Sequence, residues 1–171
     1  MNKTKRKTIE GWIDKASNQL SAAREHAKSA GQYSEAIQAA QQCVELSVKS
    51  ILSLLDITYP KSHECAPDNK GFSTIAEQIQ RRGLLEKLVD QHLDYTLRLP
   101  RLLFLLNFWA QFYITAKYGF EAEHLSSAQD LFEKEEADLA VRHAGECLRA
   151  ATSLRFLDGE KFVALASKRV S

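Results

Sequence analysis

The feature that most limits what this chain can fold into is the spacing of its apolar residues, which recur every three or four positions with few interruptions. Ile9, Trp12, Ile13, Ala16, Leu20, Ala23 and Ala27 fall on one helical face, which ends near Ala30-Gly31. Ala36, Ile37, Ala40, Val44, Val48, Ile51, Leu52 and Leu55 form a second, broader band. The link "GQYSE" between them is so short that the two helices must be antiparallel neighbours. Only three prolines and seven glycines punctuate 171 residues, and no stretch alternates as a half-buried strand would.

The next breaks divide the rest of the chain. Residues 57 to 71, "ITYPKSHECAPDNKG", hold two prolines and read as the longest loop. Helical spacing resumes at Phe72, Ile75, Ala76 and Ile79, pauses at Gly83 and continues through Leu84, Leu88 and Leu93, so this third region reads as two pieces. Pro100 suits a first helical turn. The run "LRLPRLLFLLNFWAQFYITAKYG", 97 to 119, then makes a fourth helix that is apolar almost all round and must be covered on more than one side. A last long helix is expected from near Phe132, with Asp130 and Glu133 in a capping-box-like arrangement. Its Ala137, Ala140, Val141, Ala144, Cys147, Leu148, Ala151 and Leu154 form a seam of mostly small residues. A short tail helix is expected after Asp158-Gly159.

These elements predict an all-α fold: an up-and-down bundle of four to five long helices plus a short C-terminal helix, in a single domain over 1–171. Its core spans about residues 8–155, with a basic arm at 1–7 and a tail at 158–171. A chain of this length buries roughly two-thirds of the surface its unfolded form exposes. A tetratricopeptide array is disfavoured, because residues 65 to 100 carry no second copy of the first hairpin. The longest apolar run holds five unbroken apolar residues after Arg101 and is interrupted by Asn107 and Gln111, short of the roughly 20 needed to cross a bilayer. It therefore reads as a central or interface helix and implies no membrane partner. With 44% apolar and 26% charged residues and a net charge of +1, global charge names no partner. Locally, Lys3, Lys5, Arg6 and Lys7 make a basic start, and residues 121 to 138 hold seven acids against Lys134. Cys43, Cys65 and Cys147 are odd in number and widely spaced, without zinc-ligand spacing to any histidine, and no apolar signal core follows the basic start. A cytoplasmic chain with reduced thiols is the expectation.

The second helix carries polar residues where only apolar ones are needed. Gln41, Glu45 and Lys49 stand four apart on one face, and Glu45 precedes Lys49 in the favourable orientation. An exposed ladder of this kind contributes about 0.3–0.5 kcal/mol and only solubilises a helix. Bordering a cleft or a dimer seam, the same ladder would orient its neighbours and offer an ammonium to a phosphate. His63 lies in the following loop with Lys61 and Ser62, where an imidazole titrates near neutral pH and can move a proton, or simply stands in water. His143 with Glu146, and His92 with Asp94, lack a third ligand for a metal. There is no phosphate loop of the G-x-x-x-x-G-K-[ST] type and no G-x-G-x-x-G, so neither a metal nor any other cofactor is expected. Arg81-Arg82 and Arg98 with Arg101 give local positive charge, but no aromatic residues alternate with them as in single-strand binders.

The Ala-rich first helix, the "GQYSEA" turn, "AAQQCVELSVKSIL", "YPKSH", "AKYGFEAEHLSS" and "FEKEEADLAVRHAGECL", in that order, resemble the HEPN domain family, named for nucleotide binding in higher eukaryotes and prokaryotes. Its Gln-x-x-x-Glu-x-x-x-Lys helix is matched by Gln41, Glu45 and Lys49, and the following Pro and His by Pro60 and His63. The resemblance covers about residues 8 to 155. It implies a helical bundle, frequently a homodimer, often encoded beside a small nucleotidyltransferase. It also implies that the chain is a nucleotide- or RNA-phosphate-binding module acting with such a partner, with Lys49, Glu45, His63 and Lys117 lining its polar cleft. Ribonucleases of this family share an Arg-x(4–6)-His motif, and none of His26, His63, His92, His124 and His143 has an arginine at that spacing. The nearest substitute is Lys117 with His124, where many members carry Arg-Tyr. Lysine keeps the charge and loses the bidentate fork. The alternatives are therefore a metal-independent, toxin-like ribonuclease with Lys117 and His124 as its catalytic pair, or a purely structural helical dimer.

Overall fold

The computed structural model describes residues 3–59, 69–119 and 127–166. Eight α-helices are found among them: α1 (Lys3–His26), α2 (Tyr33–Leu54), α3 (Asn69–Arg81), α4 (Leu84–Asp90), α5 (Leu99–Ala110), α6 (Tyr113–Tyr118), α7 (Lys134–Arg155) and α8 (Gly159–Ala166). A 3-10 turn, Ala128–Asp130, precedes α7, and the described residues contain no strand. None of the helices described is long and apolar enough to cross a membrane.

The three long helices make the centre. α2 packs along both α1 and α7, and its Ala36, Ile37, Ala40, Cys43, Val44, Val48 and Ile51 are at most 1% exposed. Ala36 clusters with Ala27 and Ala137, and the Cys43 thiol reaches the Ala144 carbonyl at 3.6 Å, so α2 and α7 run parallel. α1 is antiparallel to both, because Arg6 near its start donates to the Arg155 carbonyl at the far end of α7 at 3.3 Å. The small-residue seam expected on the last helix faces this interior: Ala137, Ala140, Ala144, Cys147 and Ala151 are fully buried. Short side chains let two helix backbones approach closely, and that closeness supports the dispersion contacts of the core. The seam is thus occupied within the chain.

Several local features differ from the sequence reading, each for a physical reason. The basic residues set apart as an arm form the first turns of α1, where Arg6 pairs with Glu10 at 3.1 Å and Lys5 with Asp56 at 3.0 Å. The third region is two helices, as its pause at Gly83 implies, because Gly83 takes the left-handed conformation at φ 57° between α3 and α4. The single fourth helix is also two, since Gln111 and Phe112 interrupt the ladder and α6 closes on Gly119 at φ 71°, ψ −159°, which favours glycine. The capping box lies one turn later than expected: Glu133 is the N-cap of α7 and Glu136 bonds back to its amide at 2.9 Å. Asp130 instead accepts from the Ser127 hydroxyl at 2.6 Å.

α5 carries the apolar load anticipated for it. Leu99, Leu102, Leu105, Leu106 and Trp109 are buried against α2 and α7, each contributing roughly 1.5–3 kcal/mol of transfer free energy. Its other face shows Phe104, 57% exposed, stacked on Phe108 at 5.8 Å, and Phe108 continues the row to Phe112 at 5.3 Å. α4 packs against α8, and α3 against α4.

Candidate functional site

The polar face of α2 is turned toward α5 and α6 rather than toward open water. Gln38 donates from Nε2 to the Ala116 carbonyl of α6 at 2.8 Å, which sets the direction of this face. Gln41, one turn on, is 1% exposed, and its Nε2 donates to Glu45 Oε2 at 3.3 Å. Glu45 Oε1 then accepts from Lys49 Nζ at 2.7 Å, with the two side chains only 21% and 16% exposed. Gln41, Glu45 and Lys49, each four apart, thus make one continuous run of two side-chain hydrogen bonds, with Gln38 on the same face bonded across to α6, as the helical repeat permits. Gln41 Oε1 is buried and has no partner among the described residues.

Such a stripe is more than a surface ladder. Partial burial removes solvent screening and strengthens the Glu45–Lys49 attraction, while each group still requires its partner. The carboxylate satisfies Gln41 and Lys49 together, so Glu45 is the hinge of the network. Lys49 is held by a charge of opposite sign and has little exposed surface of its own.

Lys117 is placed differently. It is exposed in the last turn of α6, with Nζ over the Tyr118 ring at 5.0 Å and over the Tyr113 ring at 5.8 Å. The adjoining Tyr118, and then Tyr113, favour the charged ammonium and raise its pKa. Gln38, which touches α6 beside Lys117, is eleven residues from Lys49 along α2, or ~16 Å of helix. The fold therefore gives Glu45 and Lys49 to one place and Lys117 to another. His63 and His124, the two histidines expected at the site, lie outside the described residues.

A second polar constellation joins α5 to α7, and local sequence reasoning missed it. Arg101 grips Glu146 through Nε and Nη2 at 2.5 and 2.9 Å, a bidentate pair of half-buried groups. The Arg101 hydrogen bond holds the Glu146 carboxyl below its usual range. One turn earlier on α7, His143 Nδ1 accepts from the Trp109 indole N–H at 3.2 Å. Burial first, and then the Arg101 charge, lower the His143 pKa and keep the ring neutral. The histidine and the glutamate that suggested a metal in sequence are thus engaged by an indole and a guanidinium, and no metal-binding cluster occurs among the described residues. The partners are 34 and 45 residues apart, so no short-range signal could have paired them.

Residues 9–154 match the family model described as HEPN domain. No curated protein and no solved structure matches the chain.

Proposed function

From the premise that this chain belongs to the HEPN domain family, we propose that it is a nucleotide- or RNA-phosphate-binding helical module that acts with a partner protein, of which a small nucleotidyltransferase is one candidate. The observation that carries this reading is the family match over residues 9–154, within which an exposed, fully charged Lys117 stands clear of any carboxylate among the described residues. An ammonium in that state suits a phosphate oxygen. Glu45 and Lys49 form a separate, ordered wall of the bundle away from Lys117, and His63 is the histidine that the family resemblance adds. Binding without catalysis is the form we favour, because none of the five histidines has an arginine at the spacing of the family's ribonucleases.

A homodimer is part of the proposal. The exposed face of α5, with Phe104 and the half-buried Phe108, supports it, because aromatic rows of this kind gain from being covered. The test is a thermal-shift series with nucleotides and short single-stranded RNA on the full chain. A ligand at 100 times its dissociation constant adds about 2.7 kcal/mol, or about 5–10 °C of melting temperature for a domain of this size. An unchanged melting temperature with every nucleotide and RNA at millimolar concentration would overturn the reading.

A further inference from the structure

A cleft of about 640 Å³ opens between the α4–α5 link and the C-terminal half of α7, and none of the α2 stripe residues lines it. Tyr95, Thr96 and Arg98 line one wall, and Arg149, Thr152 and Ser153 the other. Ligand sites commonly occupy 300–1,000 Å³, so the space suits a nucleotide. Its charges are what single it out. The side chains of Arg98 and Arg149 form no ion pair or hydrogen bond among the described residues, whereas the one acid lining the cleft, Glu146, is already held by Nε and Nη2 of Arg101. The Arg149 guanidinium lies back over Gly145, with Nη1 3.4 Å from where a side chain at that position would begin, so the missing side chain leaves it room.

The third element is aromatic. Tyr95 is 88% exposed, an unusual place for a ring unless something covers it, and it stands at the same cleft as the two arginines. Guanidinium groups that bind phosphate beside a ring that stacks on a base are the recurring parts of single-stranded nucleic-acid sites. Three hydroxyls, from Thr96, Thr152 and Ser153, supply donors for ribose or phosphate oxygens.

We propose that this cleft is a nucleotide subsite in which Arg98 and Arg149 hold phosphate and Tyr95 stacks on the attached base. The proposal rests on the nucleotide- or RNA-binding reading above and adds a location for the ligand at the opposite end of α5 from Lys117. The two arginines approach from different elements, so they can grip one phosphate from two sides or two successive phosphates of a strand. Thr152 and Ser153 lie on the α7 wall beside Arg149 and border the space left for the sugar.

The experiment uses the full chain, fluorescein-labelled octauridylate RNA and AMP, with binding read by anisotropy and thermal shift and folding checked by circular dichroism. Arg98→Gln and Arg149→Gln are each expected to weaken RNA binding about tenfold, the loss of one charge-assisted contact. Each should also reduce the slope of log affinity against log salt by about 0.7. Tyr95→Ala is expected to weaken it about tenfold, and Tyr95→Phe to keep wild-type affinity. A response to AMP as well as RNA assigns a free nucleotide as ligand; a response to RNA alone assigns a strand. If wild type binds RNA or AMP and Lys117→Gln weakens binding while the cleft variants do not, the subsite is refuted and the broader reading stands. If wild type binds neither, both fall. Loss with the arginine variants but none with Tyr95→Ala refutes the base-stacking subsite and leaves a bare anion site.

Discussion

Arg101 on α5 and Glu146 on α7 meet face to face, the guanidinium donating two hydrogen bonds of 2.5 and 2.9 Å to the two carboxylate oxygens. The direct packing of α5 on α7 is otherwise slight, so this pair and the neighbouring Trp109–His143 bond set how the apolar helix lies across the bundle.

Glu146→Gln keeps the shape of the side chain and removes the charge. We expect a loss of about 1 kcal/mol, since the pair has good bidentate geometry but is a quarter to a third exposed. That corresponds to about 2–4 °C of melting temperature. The carboxyl pKa is depressed in the folded state, so the contribution is complete above the unfolded value of about 4.3 and is lost as pH falls through the folded value. Melting curves of wild type and variant from pH 7 to pH 3 should converge at the acid end; a constant gap would refute the assignment.

His143→Leu should leave the Trp109 N–H buried without its acceptor, a cost of about 1–3 kcal/mol. The His143 pKa is lowered by burial and by Arg101, so the unfolded chain takes the proton first. Its contribution is complete above about pH 6.5 and declines as pH falls from there toward the folded value. Urea denaturation at pH 7.5 and 5.5 should show a smaller difference between the two pH values for His143→Leu than for wild type.

Gln41 combines full burial with an unpartnered Oε1 among the described residues. If its role is only to pack, Gln41→Leu removes an unsatisfied polar atom and should be neutral or stabilising by about 1 kcal/mol, because Glu45 retains Lys49 as partner. A loss above 2 kcal/mol by chemical denaturation would instead show that the amide makes a needed contact.

The thiols of Cys43 and Cys147 are expected to be inert. Burial pushes Cys43 up to about 12 and raises Cys147 further still, so neither forms the reactive thiolate near neutral pH. In mass spectrometry after iodoacetamide treatment at pH 8, both should remain unmodified in the folded chain and react fully in 6 M guanidinium. Rapid labelling of Cys43 in the native protein would contradict its place between α2 and α7.

Much of the architecture was legible from residue spacing alone. The α1–α2 hairpin follows from two apolar bands and a link too short for any other arrangement, and the split at Gly83 was marked by the residue that tolerates a left-handed turn. The break within the apolar run was not legible, because Gln111 and Phe112 are compatible with a helix, and the interruption shows only as their amides bonding three residues back to Phe108 and Trp109. The capping box was misplaced by one turn for a related reason: Asp130 and Glu133 satisfy the same pattern as Glu133 and Glu136, and the choice depends on how the chain enters α7.

The sequence by itself determined the helical periods, their order, the family-type Gln41-Glu45-Lys49 stripe and the continuity of that stripe, since side chains four apart share a face whatever surrounds them. Only the tertiary structure decided what each polar group meets. It turned the stripe inward against α5 and α6, separated Lys49 from Lys117, gave Glu146 to Arg101 and His143 to Trp109, and brought Tyr95 and Arg98 to the same cleft as Arg149. The physical reason is range: backbone geometry relates residues within a turn or two, whereas a contact across 34 to 78 residues exists only once the helices have packed.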